Sequence, residues 1–328
     1  MVNPLSSYSA TRAEKVPSAA DAFVGRLTGG DPATLARCIT LMESADPAAE
    51  AIHQRISPLT GHAAIIGFTG APGAGKSTLI DGYIGVLRAR GQRVAVAAVD
   101  PSSPISAGAI LGDRVRMLRH AEDAGVFIRS VASRGHLGGL SESIHRIVDA
   151  MDAAGWDFII VETVGTGQSE VEVAQLADLC VVVNAPNMGD DVQAIKAGVL
   201  EIADVLVVNK ADLGHAQRTT RQLKNMLKLR RENRDVAIVE TIASTQSGID
   251  QLAVAIDSRL AAGAKNAQKS RMRRVRRLIA ASASRLVHDL ILNSADDKIG
   301  DLVKAAANGE VGIGEAARRT LKEIFKAE

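Results

Sequence analysis

The chain has 328 residues, which suits one large α/β domain with extensions, or about two domains. A formal charge of +2 gives no global reason to expect a nucleic-acid partner, and no apolar run approaches membrane-spanning length. Aromatic residues are 2% against 46% hydrophobic, so a core has to be built from aliphatic side chains and alanine.

Residues 1–18 read as irregular and mobile, and their Ser/Ala-rich composition with Arg12 and Lys15 reads as a frayed terminus rather than an organellar address. Two Asp-Pro pairs follow, Asp31-Pro32 and Asp46-Pro47. Aspartate caps a helix N-terminus and proline tolerates the first helical position, where its missing N–H had no partner. Leu35, Ile39 and Met42, then Ile52 and Ile56, continue at helical spacing, so 19–58 is expected to form short helices.

From residue 63 the pattern changes to short β-branched runs at 63–69, 93–100, 126–132, 157–163, 179–185, 205–210 and 236–242. They are apolar throughout, as in strands buried on both faces, and helix-length segments separate them. The expected fold is α/β, with a mostly parallel, doubly wound sheet flanked by helices. Ligands then sit at the C-terminal ends of the strands. After Gly263 the β pattern stops; 271–292 sets Val275, Leu278, Ile279, Leu286 and Leu290 on one helical face, Asn308-Gly309 marks a turn, and 313–325 reads as a last helix. The expected division is a helical extension at 1–60, an α/β domain at 61–262 and a helical arm at 263–328. Cys38 and Cys180 form neither a metal spacing nor a disulfide framework, which fits a reducing cytoplasm.

The run Gly70, Ala71, Pro72, Gly73, Ala74, Gly75, Lys76, Ser77, Thr78 follows a strand and opens a helix, the context that a phosphate-binding loop requires. Its backbone N–H groups and the helix dipole are expected to cradle the β-phosphate. Lys76 is expected to reach the β- and γ-phosphates, and Ser77 to give its hydroxyl to Mg²⁺. Asp100 and Glu162 each end an apolar run, a costly place for a carboxylate unless it meets a cation or donor. They are candidate metal acids, acting directly or through water. Asp113, in the stretch GDRVR, is a third candidate or else a helix N-cap. Gly165 is expected to offer its N–H to the γ-phosphate.

Asn209-Lys210-Ala211-Asp212 ends the 205–210 run. The Asp212 carboxylate matches the N1–H and exocyclic amine of guanine, whereas adenine offers no such donor pair. This points to GTP and GDP rather than ATP. Lys210 is expected to lay its stem along the base, Asn209 to tie its loop to the phosphate loop, and Ala243 to give a backbone N–H to the guanine carbonyl. Hydrolysis is less well specified: no glutamine directly follows Gly165, Gln168 lies three residues on, and Arg114, Arg116 and Arg134 are candidate charge stabilisers.

Three longer strings, VDPSSPISAGAILGDRVRM (99–117), SRGHLGGLS (133–141) and VETVGTGQSE (161–170), resemble the MeaB/ArgK-type GTPases. These are associated with methylmalonyl-CoA mutase and are counterparts of the methylmalonic aciduria type A protein. The resemblance spans nearly the whole chain. It implies a homodimer joined through the C-terminal arm, and a complex with adenosylcobalamin-dependent methylmalonyl-CoA mutase whose cobalamin loading is gated by GTP. It also implies that Asp100, Asp113 and Glu162 form the Mg²⁺ network, with no nucleic acid or membrane as partner. The 185–196 loop, with Lys196 as a candidate catalytic group, becomes a switch that answers to nucleotide and partner. Without the resemblance, Asp190 or Asp191 simply caps the next helix.

The basic run Arg271, Arg273, Arg274, Arg276 and Arg277 lacks aromatic interleaving, so it reads as a solvated helix face rather than a nucleic-acid site. His136 reads as a loop histidine with a local hydrogen bond, and Trp156 as packing. The alternative function is a metallochaperone GTPase delivering nickel, a class that carries His-rich or Cys/His clusters; the seven histidines here are scattered. A kinase has little use for the guanine clamp of Asp212.

Overall fold

The apolar runs pair as seven strands of one sheet: β1 (Ala64–Gly70), β2 (Val94–Asp100), β3 (Val126–Ala132), β4 (Phe158–Thr163), β5 (Leu179–Asn184), β6 (Val205–Val208) and β7 (Ala237–Glu240). The structure is a computed structural model that describes residues 16–44, 46–100, 118–120, 122–132, 142–163, 173–186, 197–228, 235–264, 267–294 and 296–325. Every strand pairing is parallel, in the order β3-β2-β4-β1-β5-β6-β7. The order reverses around β1, so its C-terminal end opens into the crevice where such sheets hold ligands.

The helices are α1 (Val16–Thr28), α2 (Pro32–Ser44), α3 (Pro47–Ile56), α4 (Lys76–Ala89), α5 (Glu142–Ala153), α6 (Ala197–Ile202), α7 (Ala216–Lys228) and α8 (Ile249–Ala264), followed by α9 (Ala267–Leu292), α10 (Asp297–Ala307) and α11 (Ile313–Ile324). Strand side chains alternate between two cores. Ile66, Phe68, Val96, Ile160 and Val207 pack with Leu79, Ile84 and Leu87 of α4 and with Ile249, Leu252 and Ile256 of α8. Ile65, Ala97, Val161, Val182 and Leu206 pack on the opposite side with Leu27, Ile39, Ile52, Met151 and Leu223. The three N-terminal helices thus cover a sheet face and share one compact unit with it, Met1–Asn266.

Local chemistry explains several boundaries. Asp31 accepts from the backbone N–H groups of Ala33 and Thr34, both at 3.2 Å, and Asp46 accepts from Ala48 at 2.8 Å, so both Asp-Pro pairs cap helices. Such a cap contributes about 1 kcal/mol. Helix α1 begins at Val16, inside the stretch expected to be irregular. Both cysteines are free and buried, and burial pushes the Cys38 thiol up to about 12, so it stays protonated and inert.

The N-terminal ends of the strands are tied by carboxylates. Asp157, Asp178 and Asp204 each stand just before a strand and accept a backbone N–H from the neighbouring strand. The donors are Arg93 at 2.7 Å, Ile65 at 3.0 Å and Cys180 at 2.8 Å. Arg93 also lays its guanidinium over Trp156, 4.5 Å from the ring centroid, and Trp156 is buried against Phe127.

The second compact unit, Ala267–Glu328, is helical. Helix α10, which the sequence reading did not single out, is capped by Asp296 and packs on α11 around the buried Ile299, Ala316 and Thr320. The Asn308-Gly309 turn joins them, with Gly309 at φ 75°. On α9, Met272, Val275, Ile279, Leu286 and Leu290 are exposed, and the side chain of Leu278 lies outside the described residues.

Helix α5 holds the N-terminal helices through three residues spaced three apart. Arg146 pairs with Glu50 at 2.9 Å, Asp149 meets His53 Nε2 at 2.8 Å, and Asp152 accepts from the backbone of Gly61, His62 and Ala63 at 2.5, 3.2 and 3.0 Å. Asp152 is buried, so its loss leaves three N–H groups without their acceptor. Asp152→Ala is expected to lower the unfolding free energy by about 2–4 kcal/mol, read from chemical denaturation. A loss below about 0.5 kcal/mol would show that water replaces the carboxylate.

Candidate nucleotide site

Strand β1 runs directly into the loop 71–75, and α4 starts at Lys76. The turn works only with glycine at two places. Gly70 has φ 133°, and a Cβ there would come within 2.0 Å of the Val183 carbonyl. Gly75, at the N-cap of α4, has φ 87°, and a Cβ there would lie 2.4 Å from Asn209 Nδ2. The chain therefore passes close to β5 at Gly70 and to the loop after β6 at Gly75, with no room for a side chain at either place.

Lys76 is buried, and its ammonium donates to the carbonyls of Gly70 at 2.9 Å and Ala71 at 3.1 Å. Ser77 Oγ donates to Glu162 Oε1 at 2.8 Å, and both residues are 4% exposed. The first turn of α4 thus meets the acidic end of β4 through Ser77. The hydroxyl and carboxylate are hard oxygen donors in contact, a set that suits a small divalent cation carrying most of its own waters. Asp100 ends β2, whose Val99 pairs with Thr163, so its backbone lies beside the end of β4. The side chain of Asp100 lies outside the described residues, as do Asp113, Gly165, Lys196, Gln168, Arg114, Arg116, Arg134, His136 and most of the 185–196 loop.

The loops at the ends of β6 and β7 meet through Asn209, which is 2% exposed. Its Nδ2 donates to the Ala74 carbonyl at 2.8 Å, so it does tie its loop to the phosphate loop. Its Oδ1 accepts from Thr241 Oγ1 and from the Ala243 N–H, both at 3.0 Å. This corrects the expected role of Ala243: its N–H is spent on Asn209 rather than turned to a guanine carbonyl, and its side chain is buried in the core. Lys210 adopts a left-handed φ of 57°, and the Ala211 N–H bonds the Thr241 carbonyl at 3.0 Å, which bends the chain outward after β6. Asp212 is exposed and Lys210 half-buried.

One part of the site escaped the sequence reading. Asp81 lies one turn after Ser77 on α4 and binds Arg119 and His120, which follow the 101–117 segment. The i, i+4 spacing from Ser77 is the only trace of it in the sequence.

With this geometry in place, the relationships to other proteins can be read. A family model described as "Methylmalonyl Co-A mutase-associated GTPase MeaB" matches residues 35–298. A Pyrococcus horikoshii protein named as a GTPase is 49% identical over 237 residues, 71% of this chain and 75% of the relative. The Escherichia coli GTPase ArgK is 46% identical over 193 residues, 58% of each chain. The mouse mitochondrial methylmalonic aciduria type A homolog is 36% identical over 257 residues, 70% of this chain and 61% of the relative. The crystal structure of an LAO/AO transport system kinase superposes with a TM-score of 0.74 at 29% identity, covering 94% of this chain and 98% of that one. The protein is a P-loop GTPase that binds and hydrolyses GTP, and it belongs to the MeaB family of methylmalonyl-CoA mutase-associated GTPases.

Proposed function

We propose that this GTPase is a chaperone for an adenosylcobalamin-dependent methylmalonyl-CoA mutase, gating cobalamin loading and protecting the mutase from inactivation. The observation that carries this reading is the match of residues 35–298 to the mutase-associated family. Identity to the methylmalonic aciduria type A homolog supports it. We take the protein to act in the cytoplasm as a homodimer, organised as a helical extension at 1–60, a GTPase domain at 61–262 and a dimerisation arm at 263–328.

In this reading the phosphates draw Lys76 away from the Gly70 and Ala71 carbonyls that hold its ammonium. The residues at 70–78 wrap the phosphates with backbone N–H groups, and Gly165 adds one to the γ-phosphate. Ser77 and Glu162, with Asp100 and Asp113, would hold Mg²⁺, which when bound supplies charge neutralisation at the β- and γ-phosphate oxygens. Asp212 accepts from the guanine edge, Lys210 lies along the base, and Asn209 keeps the phosphate and base loops at a fixed separation. Asp212→Asn is expected to weaken GTP binding by at least about tenfold and to favour xanthine nucleotides. Calorimetric titration of both nucleotides checks it, and equal affinity of the parent for ATP and GTP would sink the assignment.

The Lys196-bearing loop is proposed to answer to the mutase. Completion of a GTPase site by a partner supplies several kcal/mol of transition-state stabilisation in other systems. Saturating mutase is therefore expected to raise turnover by about tenfold or more, and Lys196→Ala to remove most of that gain while sparing GTP binding. Turnover measured with and without mutase decides this; an unchanged rate discards the gating reading.

Homodimerisation rests on α9. Met272, Val275, Ile279, Leu286 and Leu290 recur at spacings of three, four and seven, and each is at least 42% exposed. A second copy covers such a stripe by a two-fold contact. Light scattering is expected to show a dimer for the full chain and a nucleotide-binding monomer after truncation at Gly263. A monomeric full-length protein refutes the assembly.

A further inference from the structure

Helix α4 carries Ser77, Asp81 and Arg88 at spacings of four and seven, so one polar stripe runs along its length. At its first point Ser77 meets Glu162. At its second, Asp81 takes Arg119 in a two-point grip: Arg119 Nε donates to Oδ1 at 2.6 Å, and Nη2 lies 2.5 Å from Oδ2. His120 Nε2 lies 3.1 Å from the same Oδ1. At its third, Arg88 donates from Nε and Nη2 to both oxygens of Asp123, at 2.8 and 2.9 Å.

The stripe ties Arg119, His120 and Asp123 to the phosphate-loop helix at two charged points. Asp81 is the inner one. Its side chain is 12% exposed and that of His120 is 11%, against 45% for Arg119. Planar two-point pairing of guanidinium with carboxylate sets direction as well as distance, which a single contact does not. The turn Leu118–His120 is the first described element after 101–117, the stretch whose sequence carries Asp113.

We propose that Asp81 is a positioning residue for GTP hydrolysis: its grip on Arg119 and His120 anchors the start of α4, one turn from Ser77, and so sets where Ser77 stands against Glu162. The proposal deepens the reading of Ser77 and Glu162 as the metal side of the site, and rests on it. Asp81 bonds Arg119 and His120, whereas Lys76 and Asn209 bond the phosphate loop at Gly70, Ala71 and Ala74, so nucleotide affinity is expected to depend little on Asp81. A small displacement of a group acting on the phosphates reduces turnover far more than binding.

The test uses the full chain and the variants Asp81→Asn, Arg119→Gln and the double variant. Arg119 is half exposed, so its variant keeps the fold even if Asp81→Asn proves unstable. Turnover is expected to fall at least about tenfold in each single variant, while affinity for a fluorescent GTP analogue stays within about twofold. The double variant is expected to be no worse than the poorer single one, because both remove the same contact. Amide hydrogen exchange at 118–120 is expected to quicken in all three. Single variants with parent turnover overturn the proposal, as do losses that multiply in the double variant or an equal loss of nucleotide affinity. Glu162→Gln in the same assay separates the underlying reading: parent turnover there sinks the metal-side assignment, whatever the Asp81 variants show.

Discussion

The side-chain amide of Asn209 is the contact on which the site depends. One end donates to the phosphate loop at Ala74, and the other accepts from Thr241 and Ala243 beyond β7. The sheet sets the spacing of these strand ends, and the buried amide extends that order into the loops that leave them. In the proposed reading phosphates and base meet separate loops, so a nucleotide is bound as a whole only if those loops keep their separation. A buried amide satisfied at both ends is costly to break, since each orphaned partner loses its hydrogen bond without gaining water. The close passage of Gly75 against this amide is the other half of the same contact.

The sheet is organised with a rigid end and a working end. At the N-terminal ends of the strands, Asp157, Asp178 and Asp204 bond the neighbouring strands' N–H groups, and Arg93 covers Trp156. At the C-terminal ends, polar and charged groups collect instead: Lys76 on the carbonyls of its own loop, the Ser77 hydroxyl against Glu162. Register is fixed at one end so that charges can be assembled at the other. The helices α1–α3 extend the same logic, pinned through Arg146, Asp149 and Asp152 of α5.

Much of the fold was legible because buried parallel strands leave an unmistakable trace. Each expected run overlaps an observed strand, and both Asp-Pro pairs cap helices as their chemistry requires. Ser77 contacts Glu162, and Asn209 bonds the phosphate loop at Ala74. What the sequence hid is of another kind. Helix α10 has few buried residues, Ile299 the clearest, so its periodicity is faint. Ala243 looked free to bind a base because a sequence does not say which neighbour takes a backbone N–H. Asp81 and Arg119 are far apart along the chain, and nothing in either residue type reveals that a two-point pair joins them.

The crowding at Gly75 constrains how this family can drift. A Cβ at residue 75 and an amide at residue 209 cannot occupy the same space, for they would stand 2.4 Å apart. Either change alone is harmful: a side chain at 75 strikes the amide and strains a left-handed turn, and a shorter side chain at 209 abandons Ala74, Thr241 and Ala243. A smaller side chain at 209 would clear the collision but leave residue 75 at φ 87°, so no single compensating change restores the turn, and two residues 134 positions apart, since 209 − 75 = 134, jointly hold the phosphate loop's shape.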